Sequence, residues 1–369
     1  MKVLITGSNG FIGKNLTQHL IEKQDIEIIT FDINDDFSKI VNNICDIDFI
    51  FHLAGINRPT DNTEFYNGNT NLTKSIINLI SEKKLSIPFL ITSSIQATNE
   101  TDYGKSKKLA EDSVIEYSKN NPAYIFRLHN VFGKWCKPNY NSVVATFCYN
   151  TSNNIDLTIN DENAQLNLIY IDDVIEEFID ILNNNIPSNK EDNYCYVNPI
   201  YNIKLGELAT LIKTFKTSFT DILVPDTGDE FTKKLFSTYL SYVNLEDLVF
   251  SPKMNIDERG SFTELVKTSK SGQVSVSVSK PGVIRGNHYH HTKMEKFIVI
   301  KGSAKITFKH VITLETKEFY VDDNDFKIVN IPVGYTHNIE NIGKEEMILL
   351  IWCNEIFDSS KPDTYFKEV

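Results

Sequence analysis

The hydrophobic pattern of this chain changes its period between the first part of the sequence and the last. From residue 1 to about residue 215, short apolar runs alternate with stretches in which apolar residues recur at helical spacing. This alternation is typical of βαβ units, in which crossover helices join buried parallel strands. Beyond Pro252 apolar residues recur at every second position, and helical signals disappear. The sequence therefore predicts an α/β part followed by an all-β part.

The α/β part is predicted to form a doubly wound parallel sheet of the Rossmann type. Its buried strands are predicted at residues 2–6, 27–31, 48–55, 88–94 and 123–128. Between the first two strands, apolar side chains at helical spacing predict a crossover helix with one buried face. The residues on that face are Ile12, Leu16, Leu20 and Ile21.

The all-β part is predicted to form a barrel or a sandwich. Its strands are predicted at residues 273–280, 297–300, 305–308, 327–331 and 347–352, and Gly and Asp/Asn turns separate them. In the first of these strands valines alternate with serines over residues 274–279. We place the domain boundary near residue 244, which gives domains of residues 1–243 and 244–369.

Length and composition exclude several classes of protein. A chain of 369 residues fits two domains, each large enough to bury a core without disulfide bonds. The five cysteines are scattered and form no CxxC pair, which favours reduced thiols and a cytoplasmic location. No apolar stretch has the length that a bilayer requires. The net charge of -12 argues against a nucleic-acid partner.

A glycine motif follows the first predicted strand and begins the first predicted helix. Gly7, Gly10 and Gly13 form G-x-x-G-x-x-G. Glycines at this place permit a tight turn and let a pyrophosphate approach the N–H groups of the helix N-terminus. Asp32 lies 19 residues after Gly13, where a carboxylate binds the ribose hydroxyls of NAD and repels a 2′-phosphate. The motif predicts a dinucleotide site.

A second motif predicts proton transfer. Tyr103 and Lys107 stand one turn apart at the start of a predicted helix, and Ser94 ends the fourth predicted strand. A lysine ammonium near a phenol lowers the pKa of the phenol, which lets tyrosine exchange a proton with a carbonyl or an alcohol. Ser94 is expected to hold the same substrate oxygen by a hydrogen bond.

Together with His52-Leu-Ala-Gly55 and Tyr170-Ile-Asp-Asp-Val174, these motifs resemble the extended short-chain dehydrogenase/reductase family. The resemblance implies a catalytic set of Ser94, Tyr103 and Lys107. It also implies a set of cofactor-binding residues, which comprises Gly7, Gly10, Phe11, Ile12, Gly13, Asp32, Leu53, Ala54, Gly55, Tyr103 and Lys107.

The all-β part carries a pattern of metal ligands. His288 and His290 are two residues apart on a predicted strand and so face the same side, Glu295 follows after a turn, and His337 comes 42 residues later. Three imidazoles and one carboxylate suit zinc or another divalent transition ion. The two segments that contain them resemble the paired signatures of the cupin superfamily, which implies a jelly-roll barrel.

Part of the barrel also resembles the 3,5-epimerases that act on nucleotide-linked 4-keto-6-deoxy sugars. The matching segments are residues 257–264 and 283–290. This resemblance implies a substrate site comprising Arg259, Phe262, Glu264 and Arg285, with His288 as the base. The metal-free epimerases have glutamine in place of His290. If His288 ligates a metal it is not a free base, and Glu264, His291 and Lys296 become candidates for proton transfer.

Over its whole length the chain resembles the CapF family of bifunctional capsular polysaccharide enzymes. Residues 132–142 and 235–242 support this resemblance. It implies a reductase domain that uses NADPH and a cupin domain that binds a divalent metal, with Zn²⁺ as the expected ion. The expected substrate is a UDP-linked 2-acetamido-4-keto-6-deoxy hexose, epimerised at C3 and reduced at C4 to UDP-2-acetamido-2,6-dideoxy-L-talose for capsule or other surface polysaccharide.

Three alternatives stay open at this point. Asp32 argues for NADH, whereas the family uses NADPH and Lys14 offers a compensating charge. A plain 4-keto sugar reductase with a non-catalytic, dimerising or ligand-sensing cupin has the same motifs. A non-catalytic binding protein with a nucleotide fold is disfavoured, because Ser94, Tyr103 and Lys107 are all present. We expect a homodimer or a higher homo-oligomer.

Overall fold

The computed structural model describes residues 1–23 and 25–369 and divides them into two compact units. The first unit comprises Met1–Ile212 and Lys234–Val243, and the second comprises Lys213–Lys233 and Asn244–Val369. Residues 213–233, which the sequence places in the first domain, are thus grouped with the second unit. The reason is that Leu223–Val224 adds a short parallel strand to Gly260–Thr268.

The α-helices are α1 (Phe11–Ile21), α2 (Ser38–Asn43), α3 (Thr63–Phe65), α4 (Leu72–Glu82), α5 (Asp102–Ser118), α6 (Val143–Ser152), α7 (Ile171–Leu182), α8 (Leu205–Thr220) and α9 (Glu230–Leu240). A π-helical segment, Tyr66–Asn71, joins α3 to α4. Short 3₁₀ helices occur at Ile44–Asp46, Ile95–Thr98 and Leu245–Leu248. None of the helices in the described part of the chain combines the length and the apolar character needed to span a bilayer.

The strands of the first unit are β1 (Lys2–Thr6), β2 (Glu27–Phe31), β3 (Phe49–His52), β4 (Phe89–Ser94), β5 (Ala123–Leu128), β6 (Asn130–Phe132), β7 (Gln165–Tyr170), β8 (Lys190–Glu191), β9 (Tyr194–Cys195) and β10 (Tyr201–Lys204). The strands of the second unit are β11 (Leu223–Val224), β12 (Met254–Asp257), β13 (Gly260–Thr268), β14 (Gly272–Ser279), β15 (Ile284–Tyr289), β16 (Glu295–Lys301), β17 (Ser303–His310), β18 (Thr316–Asp322), β19 (Ile328–Ile331), β20 (Tyr335–Asn341), β21 (Met347–Cys353) and β22 (Tyr365–Phe366).

The main sheet of the first unit has the order β2-β1-β3-β4-β5-β9-β8. The first six strands of this order, from β2 through β5 to β9, are parallel to their neighbours. The last strand, β8, pairs antiparallel with β9. A smaller sheet, β10-β7-β6, accompanies it. Strand β2 lies on one side of β1, and β3, β4 and β5 follow on the other side. The direction in which strands are added therefore reverses between β1 and β3. In such sheets ligands bind outside the carboxyl ends of the strands at this switch point.

Helix α1 buries one face, as the helical spacing predicts. Leu16 and Leu20 are completely buried. Ile21 was also predicted to lie on that face, but it is 60% exposed because it is the last residue of the helix. On the sheet, apolar residues of β1, β3 and β4 such as Leu4, Ile50 and Phe89 form a core with residues of α4 and α5.

The second unit consists of two sheets. One has the order β11-β13-β14-β21-β16-β19 with β12 paired to β13, and the other has the order β18-β17-β20-β15-β22. All pairings except that of β11 are antiparallel. In β14 the side chains of Gln273, Ser275, Ser277 and Ser279 are buried, and the valines between them are only partly buried. The predicted fold class is confirmed, and the inner face of β14 is polar.

Candidate functional site

The turn between β1 and α1 requires glycine at two positions. Gly7 has a φ of +71°, and a Cβ on it would lie 2.7 Å from the backbone nitrogen of Ala54. A Cβ on Gly13 would lie 2.1 Å from the carbonyl oxygen of Gly7. Helix α1 begins at Phe11, and its N-cap residue Gly10 offers no side-chain cap. The first N–H groups of α1 are therefore available to an anionic ligand.

A cavity of ≈ 990 Å³ opens at this turn, beyond the carboxyl ends of β1 and β4. Among its lining residues are most of the predicted cofactor-binding residues, namely Gly7, Gly10, Phe11, Ile12, Gly13, Leu53, Gly55, Tyr103 and Lys107. Ser94 also lines the cavity, whereas Ala54 and Asp32 do not. The structure thus brings the glycine turn and the predicted catalytic residues to one cavity.

Asp32 directly follows β2 and is bound to the glycine turn. Its carboxylate accepts hydrogen bonds from the Ser8 hydroxyl, from the Asn9 backbone N–H at 3.0 Å and from the Asn9 side-chain amide at 3.0 Å. Lys14, in contrast, lines the cavity. The carboxylate of Asp32 therefore shapes the turn, and its contact with a ribose stays a prediction.

Tyr103 and Lys107 lie on the first turns of α5, as the sequence predicts. Thr101 caps this helix, and its hydroxyl oxygen accepts a hydrogen bond of 3.1 Å from the Gly104 N–H. Burial raises the pKa of Tyr103, although a hydrogen bond with Ser94 acts in the opposite direction. The predicted lowering of this pKa is wrong, because burial penalises the phenolate and raises the pKa of Tyr103.

Lys107 is buried, and its ammonium group donates a hydrogen bond of 3.2 Å to the carbonyl oxygen of Thr92. Burial lowers the pKa of Lys107 to about 8, despite the neighbouring Glu111 carboxylate, which raises it. The motif after β3 ends in Gly55, where neighbouring side chains leave little space for a Cβ atom. A Cβ at Gly55 would lie 2.9 Å from the Lys107 Nζ atom and 3.0 Å from the Asn69 Oδ1 atom.

Sequence reasoning missed part of the cavity wall. Trp135, Lys137 and Tyr140 line the cavity. The guanidinium carbon of Arg58 lies 5.8 Å from the ring centroid of Tyr140, and the Lys137 Nζ atom lies 5.2 Å from it. The segment 132–142 was noted only as a family signature, although its mixture of lysines and aromatic side chains was the available signal. It adds a cationic and aromatic wall to the cavity.

The four predicted metal ligands meet inside the second unit. One ligand atom from each of His288, His290, Glu295 and His337 lies within 4.8 Å of the others. His288 belongs to β15, Glu295 begins β16, and His337 lies on β20 opposite His288. The spacing of ligands in the sequence therefore corresponds to a cluster in space.

The chemistry of this cluster fits a metal ion. His290, Glu295 and His337 are buried, and His290 Nε2, Glu295 Oε2 and both ring nitrogens of His337 have no hydrogen-bond partner. Glu295 Oε2 lies 3.4 Å from His290 Nε2 and 3.3 Å from His337 Nε2. Buried polar atoms without partners are costly unless a ligand satisfies them. Nitrogen and carboxylate donors are those that zinc accepts.

The electrostatics of the cluster favours ligation over proton transfer. Burial, together with the neighbouring His337, lowers the pKa of His288 to about 4. Burial alone would raise the pKa of Glu295, but its contacts with His290 and His337 lower it below the usual value. The cluster thus presents a carboxylate and a neutral imidazole of His288 at neutral pH, which are the ligating forms.

A cavity of ≈ 480 Å³ adjoins this cluster. Phe262, Glu264 and Arg285, three of the predicted substrate-binding residues, line it. Arg259 does not. Its side chain is 53% exposed and donates a hydrogen bond of 3.0 Å from Nε to Asp257. The role of Arg259 in substrate binding therefore stays a prediction.

The candidates for proton transfer differ in position. Glu264 lines the cavity and forms an ion pair of 2.8 Å with Lys267. His291 and Lys296 do not line it, since His291 packs against Tyr365 and Lys296 donates a hydrogen bond to Asn330.

Sequence reasoning missed two further polar features of the cavity wall. These are Lys293, whose Nζ atom lies 3.7 Å from Glu295, and the buried polar side chains of β14.

Comparisons with known proteins assign both parts of the chain. Residues 3–203 match the NAD dependent epimerase/dehydratase family, and residues 255–365 match the Polysaccharide biosynthesis C-terminal domain. The crystal structure of the capsular polysaccharide assembling protein CapF from Staphylococcus aureus is 43% identical, with a TM-score of 0.93 and coverage of 100% of both chains. The chain belongs to the CapF family. The predicted resemblance to this family is confirmed.

Two further comparisons extend this result. The UDP-2-acetamido-2,6-beta-L-arabino-hexul-4-ose reductase of Pseudomonas aeruginosa is 43% identical over 367 residues, which cover 99% of this chain and 98% of the relative. A second CapF structure, with the inhibitor 3-isopropenyl-tropolone, is 40% identical with a TM-score of 0.88, and the match covers 100% of both chains. The similarity to the CapF family therefore includes both units.

Proposed function

We propose that this chain is a bifunctional sugar-nucleotide enzyme. Its first unit reduces the C4 ketone of a UDP-linked 2-acetamido-4-keto-6-deoxy hexose, and its second unit epimerises C3 of the same sugar. The proposed product is UDP-2-acetamido-2,6-dideoxy-L-talose, for capsule or other surface polysaccharide. The observation that carries the reductase part is the meeting of Ser94, Tyr103 and Lys107 at the cavity of the glycine turn. The Pseudomonas aeruginosa relative, named as a reductase of a UDP-linked hexul-4-ose, supports the substrate class.

The glycine turn is proposed to hold the cofactor. The N–H groups at the start of α1 bind its pyrophosphate, and Gly7 and Gly13 leave the space for this approach. The nicotinamide cofactor, which we propose to be NADPH with NADH as the alternative, supplies the hydride that C4 accepts.

Tyr103 is proposed as the proton donor to the C4 oxygen. Because burial raises the pKa of Tyr103, the phenol carries its proton before the reaction. Ser94 donates a hydrogen bond to the same substrate oxygen and orients the ketone. The Lys107 ammonium stabilises the phenolate that remains after proton transfer. A hydride on C4 and a proton on oxygen complete the alcohol.

The direct test of the reductase proposal is an assay of reduced-cofactor oxidation. Purified protein is mixed with the UDP-linked 4-keto sugar and NADPH or NADH, and the loss of the cofactor's absorbance is followed. Turnover that depends on the keto sugar is the expected result. Absence of turnover with both cofactors, from protein that binds them, would overturn the proposal.

Reductase turnover is expected to decline as the pH rises through about 8, the value to which burial lowers the pKa of Lys107. Above this pH the neutral amine no longer stabilises the phenolate. The measurement is kcat as a function of pH, with Lys107→Arg as the comparison because arginine stays charged. A kcat that is constant well above this pH in the unmodified enzyme would contradict the role of the ammonium.

Cofactor preference is expected to depend on Asp32. Its carboxylate is bound to the glycine turn, and it repels a 2′-phosphate near the end of β2. Asp32→Ala should raise kcat/KM for NADPH relative to NADH by about tenfold, which corresponds to about 1.4 kcal/mol. Asp36→Ala is the matched control, because Asp36 accepts its hydrogen bond from Ser38 in a local turn. An unchanged preference in Asp32→Ala would show that this carboxylate does not select the cofactor.

The second unit is proposed to bind one divalent metal ion, with Zn²⁺ as the expected ion, through His288, His290, Glu295 and His337. The unpartnered nitrogen and oxygen atoms of this cluster support the proposal. A bound divalent ion supplies a positive charge that stabilises an enolate oxygen.

Glu264 is proposed as the base that removes the C3 proton. The C4 ketone acidifies this proton, and in this scheme His288 is a metal ligand, so its nitrogen is not available as a base. Glu264 lines the cavity beside the cluster, and Arg285 and Phe262 line the same cavity around the substrate. Lys267 forms an ion pair of 2.8 Å with Glu264 and holds its side chain in place at this wall.

A second candidate function is a plain 4-keto sugar reductase with a non-catalytic metal-binding barrel. The name of the Pseudomonas aeruginosa relative, which describes a reductase alone, favours it. The two candidates differ in one observable, which is exchange of the C3 hydrogen with solvent.

A further inference from the structure

The end of the chain lies across the strand that contributes to the metal cluster. Residues 363–367, named here the C-terminal strap, include β22, which pairs antiparallel with β15. In this pairing Phe366 lies opposite His288. The backbone N–H of Lys367 also donates a hydrogen bond of 2.9 Å to the carbonyl oxygen of Asn287. The strap is therefore anchored beside one of the proposed metal ligands.

Asp363 binds the loop that connects two of the proposed metal ligands, His290 and Glu295. Its carboxylate accepts backbone hydrogen bonds from His291 at 3.0 Å, Thr292 at 2.7 Å and Lys293 at 2.8 Å. The Thr292 hydroxyl donates a further hydrogen bond of 3.0 Å to it. One carboxylate thus holds three successive residues between His290 and Glu295. Each hydrogen bond to a charged acceptor is stronger than a neutral one.

The backbone of Asp363 also fixes the ring of His290. The Nδ1 atom of His290 lies in hydrogen-bonding contact with the Asp363 carbonyl oxygen. Because a carbonyl only accepts, Nδ1 carries the proton and donates it. The Nε2 atom of His290 then has a free lone pair, and it is the atom that faces Glu295 at 3.4 Å. A hydrogen bond of this kind selects the tautomer and orientation that a metal requires.

We propose that Asp363 is a positioning residue for the metal site of the second unit. Its carboxylate fixes the loop between His290 and Glu295, and its carbonyl oxygen fixes the His290 ring. This inference rests on the proposed metal binding and adds a group outside the four ligands. Without the Asp363 carboxylate, the loop N–H groups lose their acceptor, and the two ligands that the loop connects become less well ordered relative to each other.

The Asp363 side chain can be changed without removing its backbone carbonyl, which contacts His290. Asp363→Asn replaces one acceptor oxygen of the carboxylate with an amide nitrogen, which cannot accept a hydrogen bond.

The test measures metal affinity in the full-length protein. Metal is removed with a chelator, and Zn²⁺ binding is then titrated in competition with a coloured zinc indicator. Asp363→Asn is expected to weaken the apparent Zn²⁺ affinity by about 10- to 100-fold, the usual effect of losing a group that orients a ligand. Asp358→Asn is the matched control on the same terminal segment, because the Asp358 carboxylate accepts its hydrogen bonds from Ser360 in a local turn. The control should bind Zn²⁺ as the unmodified protein does.

A milder variant covers the case in which Asp363→Asn does not fold. Thr292→Val removes one of the four hydrogen bonds to Asp363, and its expected loss of affinity lies between those of the control and Asp363→Asn. Equal affinity in the unmodified protein and in every folded variant would overturn the role of Asp363 while leaving the metal site intact. Failure of the unmodified protein to bind Zn²⁺ would instead refute the metal site itself, and with it this inference.

Discussion

Tyr103→Phe is expected to reduce reductase turnover by about 10²- to 10⁴-fold, the usual cost of removing one proton-transfer group. Phenylalanine keeps the ring that packs against Phe65 at a centroid distance of 5.7 Å, so the fold should not change. Hydride transfer to C4 then leaves an alkoxide without its proton donor. The measurement is kcat for cofactor oxidation at a saturating concentration of the keto sugar.

The same variant should leave the chemistry of the second unit unaffected. Exchange of the C3 hydrogen with solvent is expected at the rate of the unmodified enzyme, because none of the cluster residues belongs to the first unit. Tyr124→Phe is the matched control, since Tyr124 lies on β5 and does not line the cavity. Turnover of Tyr103→Phe at the unmodified rate would remove Tyr103 from the mechanism.

His290→Gln is expected to abolish stoichiometric metal binding. The buried Nε2 atom of His290 is one of the atoms in the cluster without a partner, and a glutamine amide is a poorer ligand than an imidazole. A ligand at 1,000 times its Kd stabilises the folded state by about 4 kcal/mol. Excess Zn²⁺ should therefore raise the melting temperature of the unmodified second unit and not that of the variant. The measurements are elemental analysis and calorimetry.

C3 exchange should disappear in His290→Gln while the reductase reaction persists. His310→Gln is the control, because His310 lies outside the cluster and its Nδ1 atom accepts hydrogen bonds from the turn that follows β17. Full C3 exchange in a metal-free His290→Gln protein would contradict a role of the metal in the chemistry. In that case His288 would be free to act as the base.

Local patterns in the sequence were sufficient for the framework of the fold. The predicted strands at 2–6, 27–31 and 123–128 have the same bounds as β1, β2 and β5. Their apolar runs are short and bounded by turn residues, so tertiary contacts do not shift them. The placement of residues 213–233 was not predictable in the same way. It depends on a two-residue strand that pairs with a partner far along the chain.

The candidate sites were predictable where the spacing of residues along the chain determines which side chains lie close together in the structure. Tyr103 and Lys107 share a helix face, and His290 directly follows β15, two residues after His288, so local geometry brings each pair together. The predicted direction of the Tyr103 pKa shift was wrong, because burial raises this pKa and the spacing of Tyr103 and Lys107 does not reveal burial. The substrate role of Arg259 rests on resemblance alone and stays a prediction, since its guanidinium pairs with Asp257 and does not line the cavity. Asp363 lies 72 residues after His291, and no local pattern connects the two.

The most direct test of the bifunctional proposal is a single NMR experiment in D2O. The unmodified protein is incubated with the UDP-linked 2-acetamido-4-keto-6-deoxy hexose, first without reduced cofactor and then after its addition. Deuterium at C3 before the cofactor is added, followed by a 6-deoxy-L-talose product that retains this deuterium, is the expected result. Reduction at C4 with hydrogen still at C3 would contradict the proposal and leave a plain 4-keto sugar reductase.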